Sequence, residues 1–152
     1  MKNVISLGAG VQSSTMLLMA DRGEFDVKPD AAIFADTQEE PQSVYRWVEY
    51  LQSLKLSIPI LVRTYGRLSE SNLRLRTSKK SGFVYVQSSI PMFIKQPSGR
   101  GVLPRKCTRD YKIHVVIRAI RKEILGMQRV LPKHGAVSLY TSDAADDTPC
   151  VD

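Results

Sequence analysis

The stretch Val4-Ile5-Ser6-Leu7-Gly8-Ala9-Gly10-Val11-Gln12-Ser13-Ser14-Thr15 decides the fold. Its first four residues are a short apolar run closed by glycine, the pattern of a strand buried in a parallel sheet. Its last residues open a helix that carries Met16, Leu17, Leu18 and Met19 and ends near Arg22-Gly23, with Ser13 or Ser14 as the expected cap. Gly8 and Gly10 permit backbone angles closed to other residues and let a ligand come close to the chain. Unpaired N–H groups at the helix start, aided by the helix dipole, favour an anion at this turn. Ser13, Ser14 and Thr15 add hydroxyl donors. The expectation is a turn, residues 8–14, that cradles phosphate. The plain alternative is a glycine-rich turn that only packs strand against helix.

Further along, Ala31-Ala32-Ile33-Phe34-Ala35 reads as a second strand closed by Asp36-Thr37. Pro41 suits the first turn of a second helix, with Val44, Trp47, Val48 and Leu51 on one face. Ile60-Leu61-Val62 reads as a third strand. Residues 2–54 thus form a β-loop-α-β-α unit, and the alternation predicts a parallel sheet with right-handed crossovers. Beyond Gly66 the pattern weakens. Residues 67–76 are expected as helix and 83–86 as a short strand, with loops marked by Pro91, Pro97, Gly99, Gly101 and Pro104. A last helix is expected over 112–125, with Ile113, Val116, Ile117, Ile120 and Ile124 on its apolar face and Arg118, Arg121 and Lys122 toward the other side.

The 152 residues suffice for one domain, and no apolar run reaches the ~18 residues of a membrane span. The opening residues lack the apolar core of a signal peptide, so a cytoplasmic protein without membrane partners is expected. Two cysteines, Cys107 and Cys150, make no disulfide framework and no CxxC pair, and neither His114 nor His134 has ligand spacing, so no metal ligands are assigned. Lys and Arg number 22 against 15 Asp and Glu, a net charge of +7 that points to an anionic partner, nucleotide or nucleic acid.

The final residues, LYTSDAADDTPCVD, share no pattern with what precedes them and resemble the in-frame translation of a transposon-based sequencing adapter. On that reading residues 1–137 are the N-terminal part of a longer protein, residues 138–152 are not native, and Cys150 carries no function. A genuine acidic tail is the alternative. Setting aside its four aspartates, Asp143, Asp146, Asp147 and Asp152, raises the charge from +7 to +11.

Which phosphate ligand the turn takes is a separate question. No Gly-Lys-Ser/Thr follows at Walker A spacing, and in a dinucleotide fingerprint Ser13 would stand for the third glycine, with Asp36 left to bind ribose. The turn resembles instead the SGGxDS[ST] pattern of the PP-loop family of ATP pyrophosphatases and phosphoadenosine phosphosulfate reductases. Gly8 replaces its Ser, Ala9 a Gly and Gln12 the Asp, while Gly10, Ser13 and Ser14 match. Ile33-Phe34-Ala35-Asp36-Thr37-Gln38-Glu39-Glu40-Pro41 is similar to the family's second strand and its Asp-Thr. Arg105-Lys106-Cys107-Thr108-Arg109-Asp110-Tyr111-Lys112 resembles its later CCxxRK segment. There Cys107 falls on the first Cys, Thr108 replaces the second, Tyr111 replaces Arg and Lys112 falls on the Lys. The combination is similar to divergent reductase-like members often found in phages and mobile elements.

The resemblance implies an α/β fold, a Rossmann-like three-layer sandwich with a mostly parallel sheet, of the adenine nucleotide α-hydrolase type. It implies an enzyme that binds ATP or an adenylyl sulfate. Gly8, Ala9, Gly10, Gln12, Ser13 and Ser14 would hold phosphate, with Asp36 and Thr37 beside the nucleoside. Glu39 or Glu40 would help place Mg²⁺ or substrate, or simply sit at a helix start. Pyrophosphatase members attack the α-phosphorus of ATP; reductase members attack sulfur with a thiolate, normally from a C-terminal segment. Cys107 is the candidate nucleophile in this chain, flanked by Arg105, Lys106 and Arg109, cations that favour a thiolate. An Fe–S cluster would need cysteines beyond this chain, since Thr108 removes the adjacent ligand. Arg105, Lys106, Arg109 and Lys112, with Arg100 nearby, are expected to clamp the substrate's anion. Two other classes compete. One is a basic nucleic-acid-binding module drawing on Arg74, Arg76, Lys79 and Lys80 with Phe83 and Tyr85, and the other is an NAD-dependent oxidoreductase.

Overall fold

The computed structural model describes residues 2–86, 90, 93–96, 99–102, 106–127 and 137–140. Strand β1, Lys2–Leu7, leads into α1, Val11–Asp21; β2, Ala31–Asp36, leads into α2, Gln42–Ser53; β3 is Ile60–Thr64. These expected elements form where the apolar periodicity put them, with ends within a residue or two of those anticipated except at the start of α1, which begins three or four residues earlier. The strands pair in parallel, Val4 opposite Ala31 and Ala32 opposite Ile60. A fourth strand, Val137–Tyr140, pairs in parallel with the other side of β1, Lys2 opposite Val137, and is numbered β8 after the four short strands below. The sheet order is therefore β3-β2-β1-β8. The boundary drawn in the sequence at residue 137 falls within β8.

Alternating side chains of β1 and β2 feed two separate cores. On one face Ile5, Leu7, Ala32 and Phe34 meet Leu17 and Ala20 of α1 and Val48 and Leu51 of α2. On the other, Val4, Ile33 and Ala35 meet Val115, Val116, Ala119 and Ile120 of a late helix. The fold is thus mixed α/β, a parallel sheet covered by helices on both faces. Among the described residues no helix is long and apolar enough to cross a membrane.

The middle of the chain departs from expectation. Helix α3 covers Leu68–Leu73 alone, and β4, Leu75–Thr77, pairs antiparallel with β5, Val84–Val86. The turn between them bends back through Gly82, whose φ is +66°. Gly99 and Gly101, expected in loops, lie in β7, Gly99–Val102, antiparallel to β6, Phe93–Gln96. A two-stranded ribbon tolerates glycine because its outer faces pack against little. Pro91, Pro97 and Pro104 lie outside the described residues, as do Arg105, His134 and Cys150.

The late helix spans 108–124 as a wide π-type stretch Thr108–Ile113, an α-helical segment α4, His114–Ala119, and a second π-type stretch Ile120–Ile124. The sheet takes up a face turned from the one anticipated: Tyr111, Val115, Val116, Ala119 and Ile120 are buried, while Ile113 and Ile117 remain 49% and 39% exposed. The helix carries two apolar stripes, and the one with Val115 and Ala119 has smaller side chains that let it settle close on Ile33 and Ala35. Arg63 on β3 fixes that rotation, donating from Nε and Nη2 to the two carboxylate oxygens of Glu123. This pairing holds the Glu123 carboxyl below its ordinary range.

Two tests follow from the packing. Leu17→Ala, at a fully buried site, is expected to lower unfolding free energy by about 2–5 kcal/mol in urea titrations, with an unchanged denaturant slope. Asp30 accepts from Lys2 Nζ at 2.7 Å and from the Asn3 N–H at 2.8 Å, tying β1 to the turn before β2. Chiefly through Lys2, this keeps its carboxyl below the ordinary 3.8. A depressed carboxylate stabilises the fold above its unfolded value, and that contribution is lost as pH falls through the folded one. Thermal stability should therefore drop on acidification below about pH 4, less steeply in Asp30→Asn, which should also be less stable at neutral pH.

Candidate functional site

The glycine turn joins the carboxyl end of β1 to the start of α1. β2 and β3 lie to one side of β1, and β8, most of which falls in the stretch read above as non-native, lies to the other. Gly10 occupies the cap position of α1 with φ −83° and ψ 173°, and no side chain caps the helix. The first N–H donated within the helix is that of Ser14, to the Gly10 carbonyl at 3.0 Å, so the N–H groups of Val11, Gln12 and Ser13 lie ahead of the ladder. Gly8, Gly10 and Gln12 are exposed, and Val11 is 85% exposed.

Three expectations for this turn are corrected. Ser13 and Ser14 do not cap the helix, because it begins earlier and carries both inside its first turn, each 2% exposed. Their hydroxyls face the fold. Ser13 Oγ donates to the Gly10 carbonyl at 3.3 Å, and Ser14 Oγ accepts from Trp47 Nε1 at 2.8 Å. Nor do Gly8 and Gly10 adopt left-handed angles; the residue that does is Ala9, at φ +57°. An L-residue there is strained by roughly 1–2 kcal/mol, which burial of its methyl group among Ile5, Leu7 and Leu17 offsets by about 0.8 kcal/mol.

At the end of β2, the expected nucleoside residues are knotted into their own connection. Asp36 Oδ1 accepts from the Gln38 N–H at 2.7 Å and from the Tyr45 hydroxyl at 2.9 Å. Thr37, 5% exposed, donates to Glu40 Oε1 at 3.0 Å, and Glu39 Oε2 accepts from the Ser69 N–H at 3.1 Å. Burial, with Asp36 as a hydrogen-bonded anionic neighbour, raises the Tyr45 hydroxyl above its ordinary range. Asp36 is thereby partly used before any ribose arrives.

The late segment reaches this same edge. Lys112 Nζ lies 3.5 Å from Glu40 Oε1, and Tyr111 is buried with its ring edge-on to Tyr65, which follows β3, at 5.5 Å and 86°. Arg109 Nε donates to Asp110 Oδ1 at 2.8 Å, which holds the Asp110 carboxyl below its ordinary range. Of the expected anion clamp, Arg109 and Lys112 are therefore ion-paired within the protein, half-buried Lys106 adds to the positive field on Asp110, and Arg105 lies outside the described residues. Cys107 is a half-buried free thiol at the head of the late helix. No group of three His, Cys, Asp or Glu able to hold a metal occurs among the described residues.

Trp47 and Tyr65 escape a reading of motifs because their partners Ser14 and Tyr111 are remote in sequence. The signal at Trp47 was present nonetheless, since an indole N–H on a core-facing stripe requires an acceptor. Comparison with protein-family models, with curated proteins and with solved structures finds no match.

The Trp47–Ser14 bond is the one side-chain hydrogen bond between α2 and the turn's helix among the described residues. Trp47→Phe and Ser14→Ala are each expected to cost about 1 kcal/mol. In a double-mutant cycle the pair should cost less than their sum, with a coupling of about 1 kcal/mol.

Proposed function

We propose that this chain is an adenine-nucleotide-binding enzyme domain of the PP-loop kind, on a Rossmann-like layered fold, acting on ATP or an adenylyl sulfate. One observation carries the reading. The N-terminus of an 11-residue helix opens at the carboxyl end of β1 with no side chain capping it, and Gly8, Gly10, Val11 and Gln12 are exposed there. Beside it, Gly10 has an ordinary negative φ, and a Cβ there would meet nothing within 4 Å. Neither torsion nor packing among the described residues requires glycine at this position, so close approach of a ligand supplies the reason for it. The late segment reaches the connection after β2 through Lys112 and Glu40, which further supports the reading.

In this proposal the phosphate lies on the backbone N–H groups of Val11, Gln12 and Ser13, where the helix dipole adds to the attraction. The Gln12 amide offers a neutral donor, and Lys106 a cation. Ser13 and Ser14 shape the turn from behind. The protein residues do not fit a divalent cation held in the family manner: Gln12 is neutral, Glu39 accepts from Ser69, and Glu40 is paired with Lys112. No step is routed through a protein-bound metal. Cys107 supplies one thiolate ligand, too few for an Fe–S cluster, and serves better as the candidate nucleophile toward sulfur.

Trp47 is the one tryptophan of the chain and touches the turn through Ser14, so its fluorescence reports on the site. Titration with ATP and with adenylyl sulfate, by fluorescence and by calorimetry, should give saturable binding of at least one. Gly10→Asp should weaken it by about tenfold or more, roughly 1.4 kcal/mol, without changing the melting temperature. Absence of binding by both nucleotides overturns the reading. Tighter binding of NAD moves it to a nicotinamide-dependent oxidoreductase.

A further inference from the structure

We propose that the outer face of the late helix is a second anion-binding surface, one that takes single-stranded nucleic acid. It goes beyond the nucleotide reading and shares no residue with the turn over residues 8–14.

His114, Arg118 and Lys122 follow one another at four-residue intervals on the exposed side of the late helix. A groove of about 390 Å³ runs along one side of this row, also lined by Ile117, Arg121 and Met127. A second groove, about 320 Å³, runs along the other and reaches Arg63, Thr64 and Tyr65.

The charges on this face are not matched within the protein. Glu123 is engaged by Arg63, and Asp110 by Arg109 with His114 at 3.9 Å. Arg118, Arg121 and Lys122 make no ion pair with any described carboxylate. Three like charges held side by side on a packed helix repel one another, and a row of phosphates relieves that repulsion while releasing counterions. An acidic peptide would use the cations equally well, but the remaining surface favours bases. Ile113 and Ile117 leave apolar area between the charges, and Tyr65 is 62% exposed. The edge contact with buried Tyr111 holds the Tyr65 ring in place, preorganised for stacking. The rotation of the helix described above is what leaves these isoleucines outside, next to the cations.

The test is fluorescence anisotropy of a labelled single-stranded oligonucleotide with the full 152-residue chain, over a salt series. Three phosphate contacts predict a slope of log K against log salt of about −2, at roughly −0.7 per contact. The double variant Arg118→Gln/Lys122→Gln, at exposed positions, should lose about tenfold or more in affinity at low salt and flatten the slope toward about −1. Tyr65→Ala should weaken binding about fivefold or more with the slope retained. Gly10→Asp should leave strand binding unchanged, so failure of the nucleotide reading is separable from failure of this one. No binding at low salt, binding indifferent to the double variant, or equal displacement by polyglutamate would each overturn the proposal.

Discussion

Everything in this fold depends on burying β2 from both sides. Its residues Ala31, Ala32, Ile33, Phe34 and Ala35 are all 7% exposed or less, and a parallel strand with two apolar faces must have a helix over each. The first half of the chain covers one face with α1 and α2. The other face is covered by a helix that starts more than seventy residues after β2 ends. That long return has a structural consequence: through Lys112 and Glu40 it ties the late segment to the connection after β2. The candidate site is thus assembled by the same contacts that complete the core.

The polar groups at that edge divide into two kinds. Those around Asp36, Thr37, Glu39 and Glu40 are satisfied internally, by Gln38, Tyr45, Ser69 and Lys112. They hold the connection after β2 in one shape, as buried or half-buried hydrogen-bonding groups must. Gly10, Val11 and Gln12 at the start of α1 stand exposed at the surface. A rigid rim beside an open donor set is an arrangement suited to orienting an anionic ligand. The turn over residues 8–14 also holds no carboxylate to repel it.

Much of this was legible in the sequence. The apolar runs at residues 4–7, 31–35 and 60–62, the glycines after β1 and Pro41 before α2 announce the first three strands and two helices, because local propensity and burial pattern agree there. The late helix shows where such reading stops. Of the expected face Ile113, Val116, Ile117, Ile120 and Ile124, the sheet takes Val116, Ile120 and Ile124, while Ile113 and Ile117 stay outside and Val115 and Ala119 turn in, and Arg63 captures Glu123. Competition between two stripes is settled by the partner surface, which a one-dimensional pattern does not contain. The same holds for Trp47 and Ser14, which meet across 33 residues.

The sequence by itself determined the sequence order of strands and helices, the parallel pairing they favour and the place of the glycine turn at the head of α1. Each follows from periodicity and backbone conformation, which act over a few residues. Tertiary structure alone decided which hydroxyls face inward, which residue of the turn takes the left-handed angle, which cations are already paired and which face of the late helix stays in water. Those outcomes depend on burial and on partners distant along the chain, and only the packed sheet brings them within reach.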